Sequence, residues 1–132
     1  MSLQAVVLVL LLLQVKHFII EYTYPLYITN NSLYFWVVRN AIHSGLHGLI
    51  SFGVLGYMFS YISVAVLIIC VFECIIHYII DYCKGKIVSK LNAQKVRGNR
   101  TNIDKVIGHI TEVDDLLHNL TYIAMIWTLI NT

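Results

Sequence analysis

Four stretches of mostly apolar residues, at about 3–22, 33–57, 61–82 and 103–130, constrain how this chain can fold. A helix crosses a bilayer core of about 30 Å in about twenty residues, and each stretch reaches that length. The third is expected to continue as an exposed helix to about 91, and the fourth turns apolar near Ile110. Of the 132 residues, 58% are hydrophobic and 12% charged. A soluble domain carries about a quarter charged residues, and one this small has too little interior to hide so much apolar surface. The expectation is an all-α fold: one membrane-embedded domain over 1–132, a polytopic four-helix transmembrane bundle. The apolar run at 5–13 has no basic residue before it and no small-x-small site after it. It is therefore read as a retained first span rather than a signal peptide. Pro25 marks a turn, and Asn30, Asn31 and Ser32 can cap the second helix. Gly45, Gly48, Gly53 and Gly56 suit close approach between membrane helices.

Seven of the nine basic residues fall at 84–105, and 84–100 holds six of them with no acidic residue. By the positive-inside bias this loop is cytoplasmic, which puts both termini on the outer side. Lys16 and Arg39 flank the other cytoplasmic loop. The basic cluster lacks aromatic interleaving and net charge is only +2, so no nucleic-acid partner is expected. Contact with anionic lipid suits it better. Cys70, Cys74 and Cys83 form no Cys-x-x-Cys pair and read as small apolar packing residues.

The polar residues inside the spans repeat one pattern. His17 and Glu21, His43 and His47, His77 and Asp81, and Asp114 and His118 are each spaced i, i+4. That spacing puts both side chains on one helix face a turn apart, as a helix offers two ligands to a metal. A single histidine on an apolar face is more often a hydrogen-bonded structural residue. Four pairs on four helices are harder to explain that way, since an ionisable group near mid-bilayer costs about 3 kcal/mol. With 84–105 inside, all four pairs fall in the cytoplasmic half. Those of spans two and four sit about 15–22 Å from their helix starts at 1.5 Å per residue.

Five imidazoles and three carboxylates exceed one ion's needs and suit a pair of divalent ions. The mixture favours zinc, with manganese or iron as alternatives, over magnesium or calcium. Glu73, one turn before His77, is a candidate general base or partner to a ligand; its alternative is pairing with a neighbouring helix. Arg39, one turn before His43, and Lys84, three residues after Asp81, are candidates to bind a substrate phosphate, or else interface anchors. Gln14 is placed to orient His17, or to bond a neighbouring helix. His109 and Asp115 fall off the stripes.

The motifs QVKHFIIEY, HSGLHG, HYIIDYCK and DDLLH, in this order, resemble the small bacterial and phage membrane proteins of domain-of-unknown-function family 3307. The pattern is similar to membrane-bound metal-dependent hydrolases and, more distantly, to helical zinc phospholipases. Glu21 and Asp115 depart from the family's usual Asp and Gln. The resemblance implies an integral protein of a bacterial inner membrane and hydrolysis of a lipid-borne or membrane-delivered phosphoester by metal-activated water. The alternatives are a small membrane protein with a structural metal, a di-iron lipid oxidase or hydroxylase, and a metal or proton carrier.

Overall fold

The computed structural model describes residues 2–23, 33–59, 64–95 and 100–131. It consists of four helices, α1 (Leu3–Thr23), α2 (Leu33–Met58), α3 (Val64–Lys95) and α4 (Arg100–Ile130). All four begin and end close to the expected stretches. The expected turn at Pro25 and cap at Asn30–Ser32 lie outside the described residues. The basic 84–105 segment is mostly helix rather than loop, because α3 runs on to Lys95 and α4 starts at Arg100. Lys, Gln and Ala are strong helix formers, and 84–95 holds no proline to break the ladder.

Each helix packs on its sequence neighbour, and α1 closes the ring against α4 along the sparsest of the four seams. Val9 at the start of α1 meets Leu55 near the end of α2, Val66 at the start of α3 and Met125 near the end of α4 in one cluster. Successive helices therefore alternate in direction. Two of them, α1 and α3, are long and apolar enough to cross a membrane. The apolar character of α2 and α4 is diluted by polar residues. In α2 these are Arg39, Asn40, His43 and His47; in α4 they are Asp104, Lys105, Glu112, Asp114 and Asp115.

The distribution of polarity is inverted relative to a soluble bundle. Lys16, Asn40, His43, Ser44, His47, Ser51, Glu73, His77, Asp81, Asp114 and His118 are buried, while Leu11, Phe18, Ile42, Leu49, Ile68, Phe72, Ile75, Leu116 and Ile123 are exposed. Among the described residues, the buried apolar side chains gather in a layer toward the end at which α1 begins and α4 ends. There Val9, Leu13, Leu55, Val66, Ile69, Cys70, Tyr122, Met125 and Ile126 form one core.

Among Gly45, Gly48 and Gly53 of α2, Gly48 alone marks a close approach. A Cβ there would collide with Cys74 Sγ and lie 2.9 Å from the Cys70 carbonyl oxygen, whereas Gly45 and Gly53 face open space. Backbone cannot yield to that clash, so Gly48→Ala is expected to destabilise by about 1–3 kcal/mol. Gly45→Ala is expected to be neutral or stabilising by up to about 1 kcal/mol, since alanine is the better helix former. Thermal unfolding of the two variants side by side checks the contrast. Equal effects would remove Gly48 from the α2–α3 contact. Cys74 packs against this point, Cys70 lies in the core and Cys83 is exposed, all as free thiols.

Candidate metal centre

The i, i+4 stripes of all four helices converge on the bundle axis, next to the apolar layer. His17 of α1 has its ring centroid 5.1 Å from His47, 5.7 Å from His77 and 4.9 Å from His118. His47 stacks on His77 at 3.8 Å, and His77 lies 4.1 Å from His118. His43 is 4.7 Å from His47 and 5.3 Å from His77. The carboxylates cap this group on the side away from the apolar layer. Glu21 Oε1 is 2.9 Å from His43 Nε2 and 4.0 Å from His47 Nε2. Asp81 lies between helices, with Oδ2 3.3 Å from His77 Nε2 and 3.7 Å from His43 Nε2, and Oδ1 3.5 Å from His118 Nε2. Asp114 Oδ1 is 3.8 Å from His118 Nε2.

Three groups have ligand atoms within 4.8 Å of one another: His17, Glu21, His47 and His77; His43, His77 and Asp81; and Asp81, Asp114 and His118. Together they contain all eight residues of the sequence pattern, joined through the shared His77 and Asp81. Two ligands of a tetrahedral ion with bonds of about 2.1 Å stand about 3.4 Å apart. The observed separations need only small side-chain adjustments to reach that value. Both ring nitrogens of His47 and of His77, His118 Nε2, Asp81 Oδ2 and Asp114 Oδ1 are buried without a hydrogen-bond partner. An orphaned buried polar atom costs about 1–3 kcal/mol. A set of them facing one another is what a cation would satisfy, so the residues present fit a metal.

Surrounding side chains fill the roles left open by sequence. Tyr122 OH lies 3.1 Å from His17 Nδ1. With Nδ1–H donating to that oxygen, the Nε2 lone pair of His17 points to the centre, the usual way a partner fixes the tautomer of a ligand. Gln14 does not orient His17; its amide donates to Asn119 Oδ1 across the α1–α4 seam. Glu73 belongs to none of the three groups. Its Oε1 accepts from Lys16 Nζ at 2.5 Å, with both side chains at most 2% exposed. Lys16 spends its other protons on Ser51 Oγ at 2.8 Å and the His47 carbonyl at 3.2 Å. It is thus a buried cation at the floor of the centre rather than a loop-flanking anchor. Lys84 pairs with Asp114 and so holds a ligand-type carboxylate instead of standing open to a phosphate. Arg39 is half-buried one turn before His43. His109 is exposed and bonds Glu112 at 3.1 Å, away from the centre.

Lys16 and Tyr122 are the residues that sequence reasoning missed. Both carried a signal. Tyr122 extends the Asp114 and His118 stripe by one more turn. Lys16 completes the buried series Val9, Leu13, Lys16, Ile20 on α1.

No protein-family model, curated protein or solved structure matches the chain.

Proposed function

We propose that the chain is a four-span membrane protein whose buried centre binds two divalent ions, zinc foremost, and hydrolyses a lipid-borne phosphoester. The observation that carries this reading is the convergence of eight ligand-type side chains from four helices into overlapping groups joined by His77 and Asp81. The inverted polarity of the bundle supports the membrane setting. α1, at about 1.5 Å per residue, is about 30 Å long, the thickness of the hydrocarbon core. Aromatic side chains lie toward both ends, as interfacial anchors do: Trp36 and Tyr82, 5.1 Å apart, at one end, and the exposed Tyr57 and Trp127 at the other. The basic residues at 84–105 favour a cytoplasmic position for the end nearest the centre.

The charge of the centre accommodates a second ion when anions bind with it. With imidazoles neutral, Glu21, Asp81 and Asp114 against Lys84 leave two net negative charges, and Lys16 cancels Glu73. One divalent cation neutralises the centre. A second leaves two positive charges, which an anionic ester and a deprotonated water would balance. Bound ions of this kind supply Lewis acidity toward a phosphoryl oxygen and lower the pKa of water. In hydrolysis the water oxygen bonds to phosphorus, the bond from phosphorus to the alcohol oxygen breaks, and the alcohol leaves with a proton. Lys84 neutralises and orients Asp114, Tyr122 orients His17, and the Lys16–Glu73 pair closes the floor. The apolar layer beneath that floor supports a dead-end site over a path through the membrane, which sets this reading above that of a carrier.

Elemental analysis of detergent-purified protein is expected to find about two zinc or manganese ions per chain, with a His43→Ala/His47→Ala variant losing at least one. Wild-type protein in phospholipid vesicles is expected to release a water-soluble product that the variant does not. A metal-free wild type, folded and inert, would end the proposal; bound metal without turnover would leave a structural metal in its place.

A further inference from the structure

A cleft of about 300 Å³ between α1 and α4 is lined by Gln14, His17, Phe18, Glu21, Asp115 and Asn119. His17 and Glu21 belong both to the cleft and to the centre. They are also its only members that are not fully buried, with the Glu21 side chain 37% exposed against 0% for His43 and 5% for Asp81. The cleft follows the sparsest seam of the bundle, spanned by the bond from Gln14 to Asn119. Its polar lining is two carboxylates and two amides beside an imidazole, with no lysine or arginine among the described residues.

Asp115 is the unexplained member. It is exposed and has no hydrogen bond or ion pair among the described residues. Being next to Asp114 and three residues before His118, it sits at the depth of the centre on the outward side. On a lipid-facing surface an ionised carboxylate at that depth costs about 3 kcal/mol, so its place beside an opening to the centre calls for a cationic occupant.

Resting on the hydrolase reading, we propose that the α1–α4 cleft is a lateral entrance for a phospholipid with an ammonium-bearing headgroup. Asp115 and the Asn119 amide hold the ammonium while the phosphate reaches His17 and Glu21. An anionic headgroup would meet two carboxylates on the way in and, among the described lining residues, no lysine or arginine, whereas an ammonium is drawn to the carboxylates. The acyl chains stay in the bilayer against Phe18, which is exposed at the cleft's edge.

Wild type, Asp115→Asn and Asn119→Trp are compared in vesicles of phosphatidylethanolamine and of phosphatidylglycerol. Asp115→Asn keeps its metal and is expected to raise KM for the ethanolamine lipid about tenfold with kcat unchanged, as loss of one charge-assisted contact implies, while glycerol-lipid turnover stays equal or rises because one repelling charge is gone. Asn119→Trp fills the cleft and is expected to cut turnover of both lipids at least tenfold with metal retained. Native mass spectrometry reads binding independently of turnover: ethanolamine lipid is expected to stay with wild type and to be lost from Asp115→Asn. Equal effects of Asp115→Asn on both lipids, or equal retention by both proteins, would overturn the entrance. Selective retention with no hydrolysis by wild type would keep the lipid site and overturn the hydrolase reading instead.

Discussion

Zinc added to chelator-stripped protein is expected to raise its unfolding temperature by about 10 °C, and His77→Ala is expected to abolish that response. An ion present at a hundred times its dissociation constant adds about 2.7 kcal/mol to the folded state. In a chain of this size each kcal/mol moves the midpoint by about 4 °C. His77 is the residue to remove because it belongs to two of the three ligand groups. Its effect without metal is the sharper test. Ordinary truncation of a buried side chain this large costs about 2–5 kcal/mol. Both ring nitrogens of His77 are buried without hydrogen bonds, however, and it stacks on other imidazoles that share the same fault. In stripped protein His77→Ala is therefore expected to be nearly neutral or stabilising, while in zinc-loaded protein it is strongly destabilising. His109→Ala provides the control: that ring is 77% exposed and bonds only Glu112, so the zinc response should survive it intact. Melting curves of the three proteins with and without zinc decide the matter. A wild type indifferent to zinc, together with a stripped His77→Ala variant that loses several kcal/mol, would mean that the imidazoles are packing material.

The helices and the eight converging residues were legible because both rest on periodicity. Apolar length marks a helix whatever its neighbours are, and i, i+4 spacing fixes a shared face without knowledge of the partner. What could not be read is how faces pair across helices. Lys84 and Asp114 sit 30 residues apart, and no spacing rule links them. Gln14 stands at the right offset to reach His17, yet Asn119 on another helix offers its amide a better partner. Lys16 shows a subtler limit. Near the end of an apolar helix a lysine usually snorkels toward the interface, so composition favours an anchor. Its register with Leu13 and Ile20 puts it inside, and Glu73, Ser51 and the His47 carbonyl opposite make that register tolerable. Gly48 differs from Gly45 and Gly53 for the same reason, since Cys70 and Cys74 on α3 decide which glycine is needed.

Removal of the Lys16 ammonium is expected to be among the most damaging single changes to this protein. Lys16→Met preserves the length of the side chain but leaves Glu73 buried with no counter-charge, which costs about 3–5 kcal/mol. The comparable loss at Lys84 is expected to be smaller, about 2 kcal/mol, because that side chain is 29% exposed and its removal opens the 6% exposed Asp114 toward solvent. Replacing both members, as Lys16→Met/Glu73→Leu, is expected to restore most of the stability, since a buried pair often stabilises no more than apolar residues of similar volume. The same double variant separates two roles for Glu73. If the pair only closes the floor, the double variant keeps its metal and its turnover. If Glu73 instead moves a proton in the reaction, metal is retained and kcat falls by about a hundredfold or more, as removal of a general base does. The geometry favours the first result: Lys16 holds Glu73 Oε1 below the imidazole layer, and Ser51 and the His47 carbonyl hold Lys16 in turn. A single Lys16→Met variant as stable as wild type would show that Glu73 finds another partner or is protonated in the fold, and would release the pair from any part in closing the site.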